Sequence, residues 1–173
     1  FLMAGGMSVF DAVCTAMSTA GTGGFGIKND SLASFSPYIQ NVTTVFLVLF
    51  GINFSCYYLI LLKQVGAVLR DEELRLYLVL FFGAALLIAV TVMPMYTTGE
   101  EAFRHSFFQV ASIMTTAGFA TTDFDLWPSF SKTILMMLMV IGASAGSTGG
   151  GFKCIRVLLL FKILRRNIRQ ILN

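Results

Sequence analysis

Hydrophobic residues are grouped in long blocks that are separated by short polar segments. The blocks Tyr38 to Leu62 and Leu76 to Tyr96 contain no charged residue, and each is long enough for a helix to span a bilayer. Asn53 lies in the middle of the first block, where it would line a pore or bond a neighbouring helix. A third apolar block runs from Thr133 to Ile141 and is then interrupted, with helix expected again from Cys154. The pattern predicts an all-α membrane protein.

Two further apolar blocks are too short to cross a membrane. As helices, Ser8 to Thr19 and Phe103 to Met114 would each be about 18 Å long, against a hydrocarbon core of about 30 Å. Non-helical backbone at membrane depth is stable only where protein buries it or where it lines a water-filled cavity. Each block is followed by a Gly-Phe pair and a polar loop. Backbone carbonyls presented in this way are what a cation selectivity filter requires.

The sequence therefore predicts two filter segments, which we name the first and second Thr-x-Gly-Phe stretches. Their residues are Thr22, Gly23, Gly24 and Phe25, then Thr116, Ala117, Gly118 and Phe119. A rival alignment makes Gly21 the equivalent of Gly118, but pairing Gly24 with Gly118 is preferred because Gly-Phe then matches in both copies. In a different interpretation these glycines only let membrane helices approach closely. Close packing explains isolated glycines, but it does not explain two half-length helices that are each followed by Gly-Phe.

The interrupted third block contains five glycines within residues 142–151. Each glycine disfavours a helix by about 1 kcal/mol relative to alanine, so a continuous helix is not expected here. The segment is predicted either to be a flexible plug that gates a pore or to be a re-entrant kink that only packs, and gating is preferred. The charge of Lys153 would oppose cations below the filter. The candidate gating residues are Gly142, Gly146, Ser147, Thr148, Gly149, Gly150, Gly151 and Lys153.

Composition favours a membrane protein and excludes several other classes. The 173 residues are 56% hydrophobic and 12% charged, whereas soluble domains are about a quarter charged. Nine of the twelve basic residues lie in two patches, at 63–75 and 153–169, which the positive-inside rule places in the cytoplasm. The patches lack an aromatic platform, so nucleic-acid binding is not expected. The three cysteines are far apart, so neither a metal site nor a disulfide framework is predicted.

Two glycine motifs look like nucleotide-binding loops but lack the context that such loops need. Residues 21–26 match G-x-G-x-x-G, yet a helix is predicted before them and no acidic residue follows about 20 positions later. Residues 146–153 resemble a Walker A loop, but Phe152 separates the glycines from Lys153 and Cys154 replaces the Ser or Thr. The sequence offers no nucleophile, metal cluster or acid–base pair placed for chemistry. It therefore predicts neither an enzyme nor a cofactor.

The predicted elements form an internal repeat of span, half-length helix, filter and span. Residues 1–63 would hold the half-length helix, filter and second span of one copy. Residues 64–75 would form a cytoplasmic connection, and residues 76–173 would form the complete next copy with a broken last span. Because the first copy lacks its opening span, we expect the sequence to be a fragment of a longer chain.

Three motifs together resemble the TrkH/KtrB/HKT superfamily of potassium transporters, and most closely its bacterial TrkH members. They are Thr115-Thr116-Ala117-Gly118-Phe119, the pair Trp127-Pro128, and the run from Ala145 to Lys153, whose Ala-Gly-Ser-Thr-Gly-Gly-Gly sequence is the most specific. The resemblance covers essentially the whole chain. It implies four span–pore-helix–span repeats around a pseudo-fourfold pore, of which this sequence matches the later part of the second and all of the third.

The resemblance also implies a function and partners. Potassium, the transported substrate, would cross the bacterial inner membrane through the filter, and the glycine-rich run would gate it. The family is usually dimeric within membrane lipid, and it works with a cytosolic nucleotide-binding regulatory ring that the basic surface at 162–169 would contact. In this family a serine in place of a filter glycine accompanies sodium transport, so Gly24 and Gly118 favour potassium. The alternatives are a sodium-conducting relative and a non-conducting membrane assembly subunit.

Overall fold

The computed structural model describes residues 1–172, which contain helices and no strand. Short 3-10 helices lie at Met3–Gly5, Met93–Met95 and Phe124–Leu126. The α-helices of this part of the chain, in order, are α1 (Val9–Ala20), α2 (Pro37–Phe50), α3 (Phe54–Leu61), α4 (Val65–Arg70), α5 (Glu72–Val92), α6 (Gly99–Met114), α7 (Ser129–Ile141) and α8 (Cys154–Leu172).

The core is built around α6, which packs against α2, α5 and α7. Eight of its sixteen residues are buried, and among them Ser106, Gln109 and Ser112 are polar. Phe81 of α5 meets Phe107 of α6 edge to face, with ring centroids 5.7 Å apart, a favourable aromatic geometry. The C-terminal end of α6 is buried, with Met114 and Thr115 fully enclosed.

The two short helices begin at capping residues. The Oγ of Ser8 accepts a hydrogen bond from the N–H of Asp11 at 3.1 Å, so α1 begins at Val9 as predicted. The predicted start of α6 at Phe103 is wrong, because Thr98 Oγ1 accepts from the N–H of Glu101 and caps a helix that begins at Gly99. The polar residues Gly99 to Glu101 are therefore helical. With sixteen residues, α6 is about 24 Å long, still shorter than a bilayer core.

The predicted continuous span from Tyr38 to Leu62 is also wrong. It is divided into α2 and α3, which are bent by 87° across the break at 51–53. The Oδ1 of Asn53 accepts from the N–H of Ser55 at 2.9 Å and caps α3, a role that the sequence analysis did not predict. Gly51 allows a close approach of α5, because a Cβ there would lie 2.2 Å from the Tyr77 hydroxyl oxygen.

Residues 142–153, which we name the glycine-rich segment, explain why α2 and α3 are separate. The segment connects α7 to α8 and enters the break between α2 and α3. The N–H of Ser144 donates to the carbonyl of Gly51, and the N–H of Phe54 donates to the carbonyl of Gly146, both at 3.1 Å. These bonds use backbone groups that a continuous helix would pair within itself.

Within the described residues, one helix is long and apolar enough to cross a membrane by length and composition, the stretch Glu72–Met95. The bent pair of α2 and α3 would be a second if it were counted as one span. The α5 helix begins at Glu72 rather than at Leu76, because Asp71 Oδ1 accepts from the N–H of Leu74 at 2.8 Å and caps it. It ends at Val92, two residues before Pro94, and a proline does not fit in the interior of an α-helix.

Candidate ion-binding region

Both Thr-x-Gly-Phe stretches leave the end of a short helix through the same backbone hydrogen bonds, at positions 94 residues apart. In the first copy, the donors and acceptors are Gly21 N–H to Met17 O (2.9 Å), Thr22 N–H to Thr19 O (3.2 Å) and Gly23 N–H to Ser18 O (2.8 Å). In the second copy they are Thr115 N–H to Ala111 O (3.0 Å), Thr116 N–H to Ile113 O (3.0 Å) and Ala117 N–H to Ser112 O (2.8 Å). The two loops therefore begin with the same backbone geometry.

The backbone torsions of the two stretches also correspond. Thr22 and Thr116 have φ values of 48° and 59°, and Gly24 and Gly118 have φ values of 70° and 84°. This left-handed conformation is readily adopted by glycine and is uncommon for other residues. Gly21 has a φ of −82°, so it does not share the conformation of Gly118. The torsions favour the pairing of Gly24 with Gly118.

The two stretches lie side by side. A Cβ added to Gly24 would be 1.8 Å from the carbonyl oxygen of Ala117, so only glycine fits there. Just beyond the stretches, the N–H of Leu32 donates to the carbonyl of Ala120 at 3.1 Å, and the N–H of Ala120 donates to Ser31 Oγ at 3.2 Å. By contrast, a Cβ added to Gly118 would meet nothing within 4 Å.

Most carbonyl oxygens of the stretches accept no hydrogen bond from the described part of the chain. They belong to Thr22, Gly23, Gly24, Phe25, Thr116, Ala117 and Gly118. The carbonyl of Phe119 differs, because it accepts from Ser112 Oγ at 2.6 Å, and the Phe119 side chain is buried. The C-terminal ends of α1 and α6, which carry partial negative charge, lead into these loops. The arrangement can bind a cation through backbone oxygens, with Phe119 as an anchor rather than as a ligand.

The glycine-rich segment contacts the threonine of each stretch. The hydroxyl of Thr22 donates to the carbonyl of Thr148 at 3.0 Å, and the N–H of Gly150 donates to Thr116 Oγ1 at 2.7 Å. The Lys153 ammonium donates to the carbonyl of Gly149, so its positive charge lies within the segment. The structure thus brings together three parts of the sequence that were predicted to act together.

The two ends of the glycine-rich segment lie close together, and two glycines make this approach possible. The N–H groups of Phe152 and Lys153 donate to the carbonyls of Val140 and Ile141, which hold its two ends together. Gly142 has a φ of 72°, and a Cβ there would lie 2.4 Å from the carbonyl oxygen of Gly150. A Cβ added to Gly151 would be 2.7 Å from the Gly142 Cα. Among the candidate gating residues, Ser147 also makes an internal bond, with its hydroxyl 2.6 Å from the carbonyl of Ser144.

An aromatic cluster that the sequence did not reveal supports the second stretch. The rings of Tyr96 and His105 stack with centroids 5.3 Å apart, and Trp127 Nε1 donates to the Tyr96 hydroxyl at 3.2 Å. His105 Nδ1 lies 2.8 Å from the hydroxyl oxygen of Thr121, two residues after Phe119. Nothing in the spacing of these residues indicates that they meet, because α6 and the loops on both sides of it must fold first.

The sequence also did not indicate the hydrogen bonds of Gln40, which stabilise the loop after the first stretch. The Gln40 amide nitrogen donates to the carbonyls of Leu32, Ala33 and Phe35, at 3.0, 3.5 and 3.3 Å. Its amide oxygen accepts a hydrogen bond from the guanidinium of Arg104 on α6. Gln40 is buried, so its polar atoms depend on these partners.

We expect Gln40→Leu to destabilise the protein, because it leaves the carbonyl of the buried Leu32 and the largely buried Arg104 guanidinium without their partner. Unsatisfied buried polar groups cost about 1–3 kcal/mol each, so the loss of unfolding free energy should be of that order or larger. Thermal unfolding in detergent measures it. The matched control is Asn41→Leu, the same kind of change on the exposed neighbouring side chain. Equal melting temperatures for the two variants would contradict the assigned role of Gln40.

Comparison with known proteins identifies the family. The family model for TrkH, described as a cation transport protein, matches residues 3–172. The chain belongs to the TrkH family. The resemblance predicted from the motifs is therefore confirmed, and the family consists of cation transport proteins rather than enzymes.

Three TrkH-family relatives illustrate the extent of the similarity. The Trk system potassium uptake protein TrkG of Escherichia coli K12 is 35% identical over 170 residues, which are 96% of this chain and 35% of that protein. The corresponding TrkH of E. coli K12 is 34% identical over 172 residues, 97% of this chain and 36% of that protein. The crystal structure of the potassium transporter TrkH from Vibrio parahaemolyticus matches with a TM-score of 0.90 at 35% identity, covering 96% of this chain and 37% of that one. The chain thus spans little more than a third of the length of these relatives.

Proposed function

We propose that the protein carrying this sequence takes up potassium across the bacterial inner membrane. Two of its similar relatives are named potassium uptake proteins, and the solved relative is named a potassium transporter. The observation that carries the proposal is the pair of stretches, each at the end of a short helix and each with carbonyl oxygens that accept no hydrogen bond from residues 1–172. Carbonyl oxygens of this kind replace the hydration shell of a permeating cation.

In this proposal α1 and α6 are pore helices, and each Thr-x-Gly-Phe stretch is one part of the selectivity filter. Residues 1–63 and 76–173 are two successive repeats joined by the cytoplasmic connection at 64–75. The similar φ values of Thr22 and Thr116, and of Gly24 and Gly118, support this repeat. Both helices direct the negative ends of their dipoles toward the filter, which favours a cation there. Flow is driven by the membrane potential, which contributes about 2.3 kcal/mol per charge per 100 mV.

The glycine-rich segment is the intramembrane gating loop of the proposed pore. Its hydrogen bonds to Thr22 and Thr116, one in each Thr-x-Gly-Phe stretch, support this role. The ammonium of Lys153, bonded to the Gly149 carbonyl, repels a cation that leaves the filter on this side. Conduction then requires the segment to move. In that movement the hydrogen bonds to Thr22 and Thr116 would have to break.

The partners follow from the charge of α8 and from the family. Four exposed basic residues line one surface of α8: Lys162, Arg165, Arg166 and Arg169. We propose that this surface faces the cytoplasm and contacts a nucleotide-binding regulatory subunit. The full transporter is proposed to be a homodimer surrounded by membrane lipid, with no cofactor beyond the transported potassium.

Rubidium-tracer uptake into liposomes that contain the natural protein tests this function. We expect potassium to compete with uptake and sodium to compete poorly. Gly118→Asp should reduce uptake to background, because it places a carboxylate in the filter, where φ is 84° and an L side chain is also strained. The matched control is Gly66→Asp, on the exposed surface of α4, which should retain uptake.

The other outcomes separate the alternatives. If sodium competes as well as potassium, the proposed pore stands, but the protein is a sodium-conducting relative. Folded protein without uptake, even after addition of the cytosolic subunit and nucleotide, would favour a non-conducting membrane assembly subunit. In that case Gly118→Asp would impair assembly instead of flux.

A further inference from the structure

A buried carboxylate fastens the glycine-rich segment to α5. Glu73 lies in the first turn of α5 and is only 6% exposed. Its Oε1 accepts a hydrogen bond from the N–H of Ala145 at 2.6 Å. Burying a carboxylate is unfavourable unless hydrogen bonds compensate it, and a short bond to an ionised acceptor is among the stronger ones. The repeat, the filter and the gating loop do not by themselves explain why an acidic residue is buried here.

The Glu73 bond belongs to a row of three attachments at consecutive residues of the segment. Ser144 is bonded to Gly51 and Gly146 to Phe54, in both cases through backbone groups. Ala145, between them, is held by the Glu73 side chain. A side-chain bond can be altered without changing the backbone at either partner. Glu73 is therefore the point in this row at which the attachment of the segment can be changed selectively.

We propose that Glu73 is a positioning residue, whose carboxylate holds the glycine-rich segment in place and limits how often it leaves the ion path. The attachment itself depends only on the contacts just described. Its effect on ion flow rests on the proposed function, in which the segment is the gate. Loss of the Glu73 bond should therefore loosen the segment and raise ion flux in the absence of the regulatory subunit.

Glu72, the preceding residue, offers a matched control. Its side chain is 59% exposed and pairs with the exposed Lys162 on α8. Exposed ion pairs contribute little to stability, so replacing Glu72 removes an acidic charge from the same helical turn with little structural effect. Differences between variants at 72 and 73 then report the buried hydrogen bond rather than the change in net charge.

The first measurement is hydrogen exchange of the peptide that covers residues 142–153, in the natural protein. Glu73→Met keeps a side chain of similar length but removes the acceptor, whereas Glu73→Gln is equally neutral and retains an amide oxygen. We expect about tenfold faster exchange for Glu73→Met, which corresponds to about 1.4 kcal/mol. Glu73→Gln should remain within about threefold of the unsubstituted protein, by the same conversion less than 1 kcal/mol, and Glu72→Met should remain unchanged.

Rubidium uptake without the regulatory subunit is the second measurement. Glu73→Met should raise it several-fold, and Glu73→Gln should return it most of the way to the basal rate. If the Met and Gln variants exchange alike, or if neither differs from the Glu72 control, the positioning role is wrong. If Glu73→Met loosens the segment but no variant transports rubidium, the attachment stands and the proposed transport function fails. If exchange increases while uptake stays at the basal rate of an active protein, the gating effect is refuted.

Discussion

Gly24→Ala should reduce potassium uptake to background. The added Cβ would lie 1.8 Å from the Ala117 carbonyl oxygen and 2.8 Å from its carbonyl carbon, an overlap with backbone that no rotamer change relieves. Gly24 also has a φ of 70°, and a left-handed backbone costs an L residue about 1–2 kcal/mol. The substitution therefore forces the two stretches apart where their carbonyls are proposed to bind the ion. Rubidium uptake into liposomes measures the effect, with size-exclusion chromatography to show that the protein is assembled.

Gly118→Ala is the matched control for this prediction. It has the same kind of torsional strain, with a φ of 84°, but its Cβ would meet nothing within 4 Å. We expect it to lower uptake several-fold at most. If Gly24→Ala transports as well as Gly118→Ala, the two stretches are not packed against each other in the working protein, and the filter geometry proposed for them fails.

Gly142→Ala should remove much of the stability of the glycine-rich segment. The new Cβ would lie 2.4 Å from the Gly150 carbonyl oxygen and 2.8 Å from the Gly151 Cα, at a φ of 72°. Because both clashes are with backbone, one end of the segment must move, and the bonds that fix its ends are lost. We expect the loss of unfolding free energy to exceed the usual range of about 0.5–3 kcal/mol for single substitutions. Thermal unfolding and the exchange rate of residues 142–153 measure the loss.

Gly83→Ala provides the comparison in a regular helix. Gly83 lies on an exposed face of α5, and a Cβ there would meet nothing within 4 Å. Alanine favours a helix by about 1 kcal/mol over glycine, so the melting temperature should stay the same or rise slightly. A Gly142→Ala protein as stable as Gly83→Ala would mean that the segment does not adopt its closed conformation in the membrane.

Local signals in the sequence predicted the elements that depend on local interactions. The short block that begins at Ser8 and the interruption after Ile141 both depend on neighbouring residues, and the structure has helix ends at or beside each of them. The start of α6 was missed by four residues, because the capping effect of Thr98 outweighs the polar character of the residues after it. Periodicity and hydropathy depend on apolar residues. They do not detect a cap, because a cap is a single hydrogen bond made by a polar side chain.

Interactions between distant residues could not be predicted in the same way. The break between α2 and α3 lies in an uncharged block of helix-compatible length, and it depends on partners about 93 residues away in the glycine-rich segment. In the sequence Glu73 is one of several charges in the predicted cytoplasmic connection, yet it is buried, and the N–H of Ala145 donates to its carboxylate. Sequence patterns indicated the proposed filter and gating residues one stretch at a time. That these stretches touch follows only from the packing of α6 in the core.

The insertion of the glycine-rich segment between α2 and α3 has a consequence for how the protein can be recombined. The charged connection at 64–75 looks like a natural boundary between two modules. Backbone hydrogen bonds nevertheless join the residues before this connection to residues after it. Gly51 and Phe54 of the first unit are bonded to Ser144 and Gly146 of the second. A chimera with a relative must therefore exchange residues 50–54 and 142–153 together. The two segments are far apart in the sequence, but they are bonded to each other in the fold.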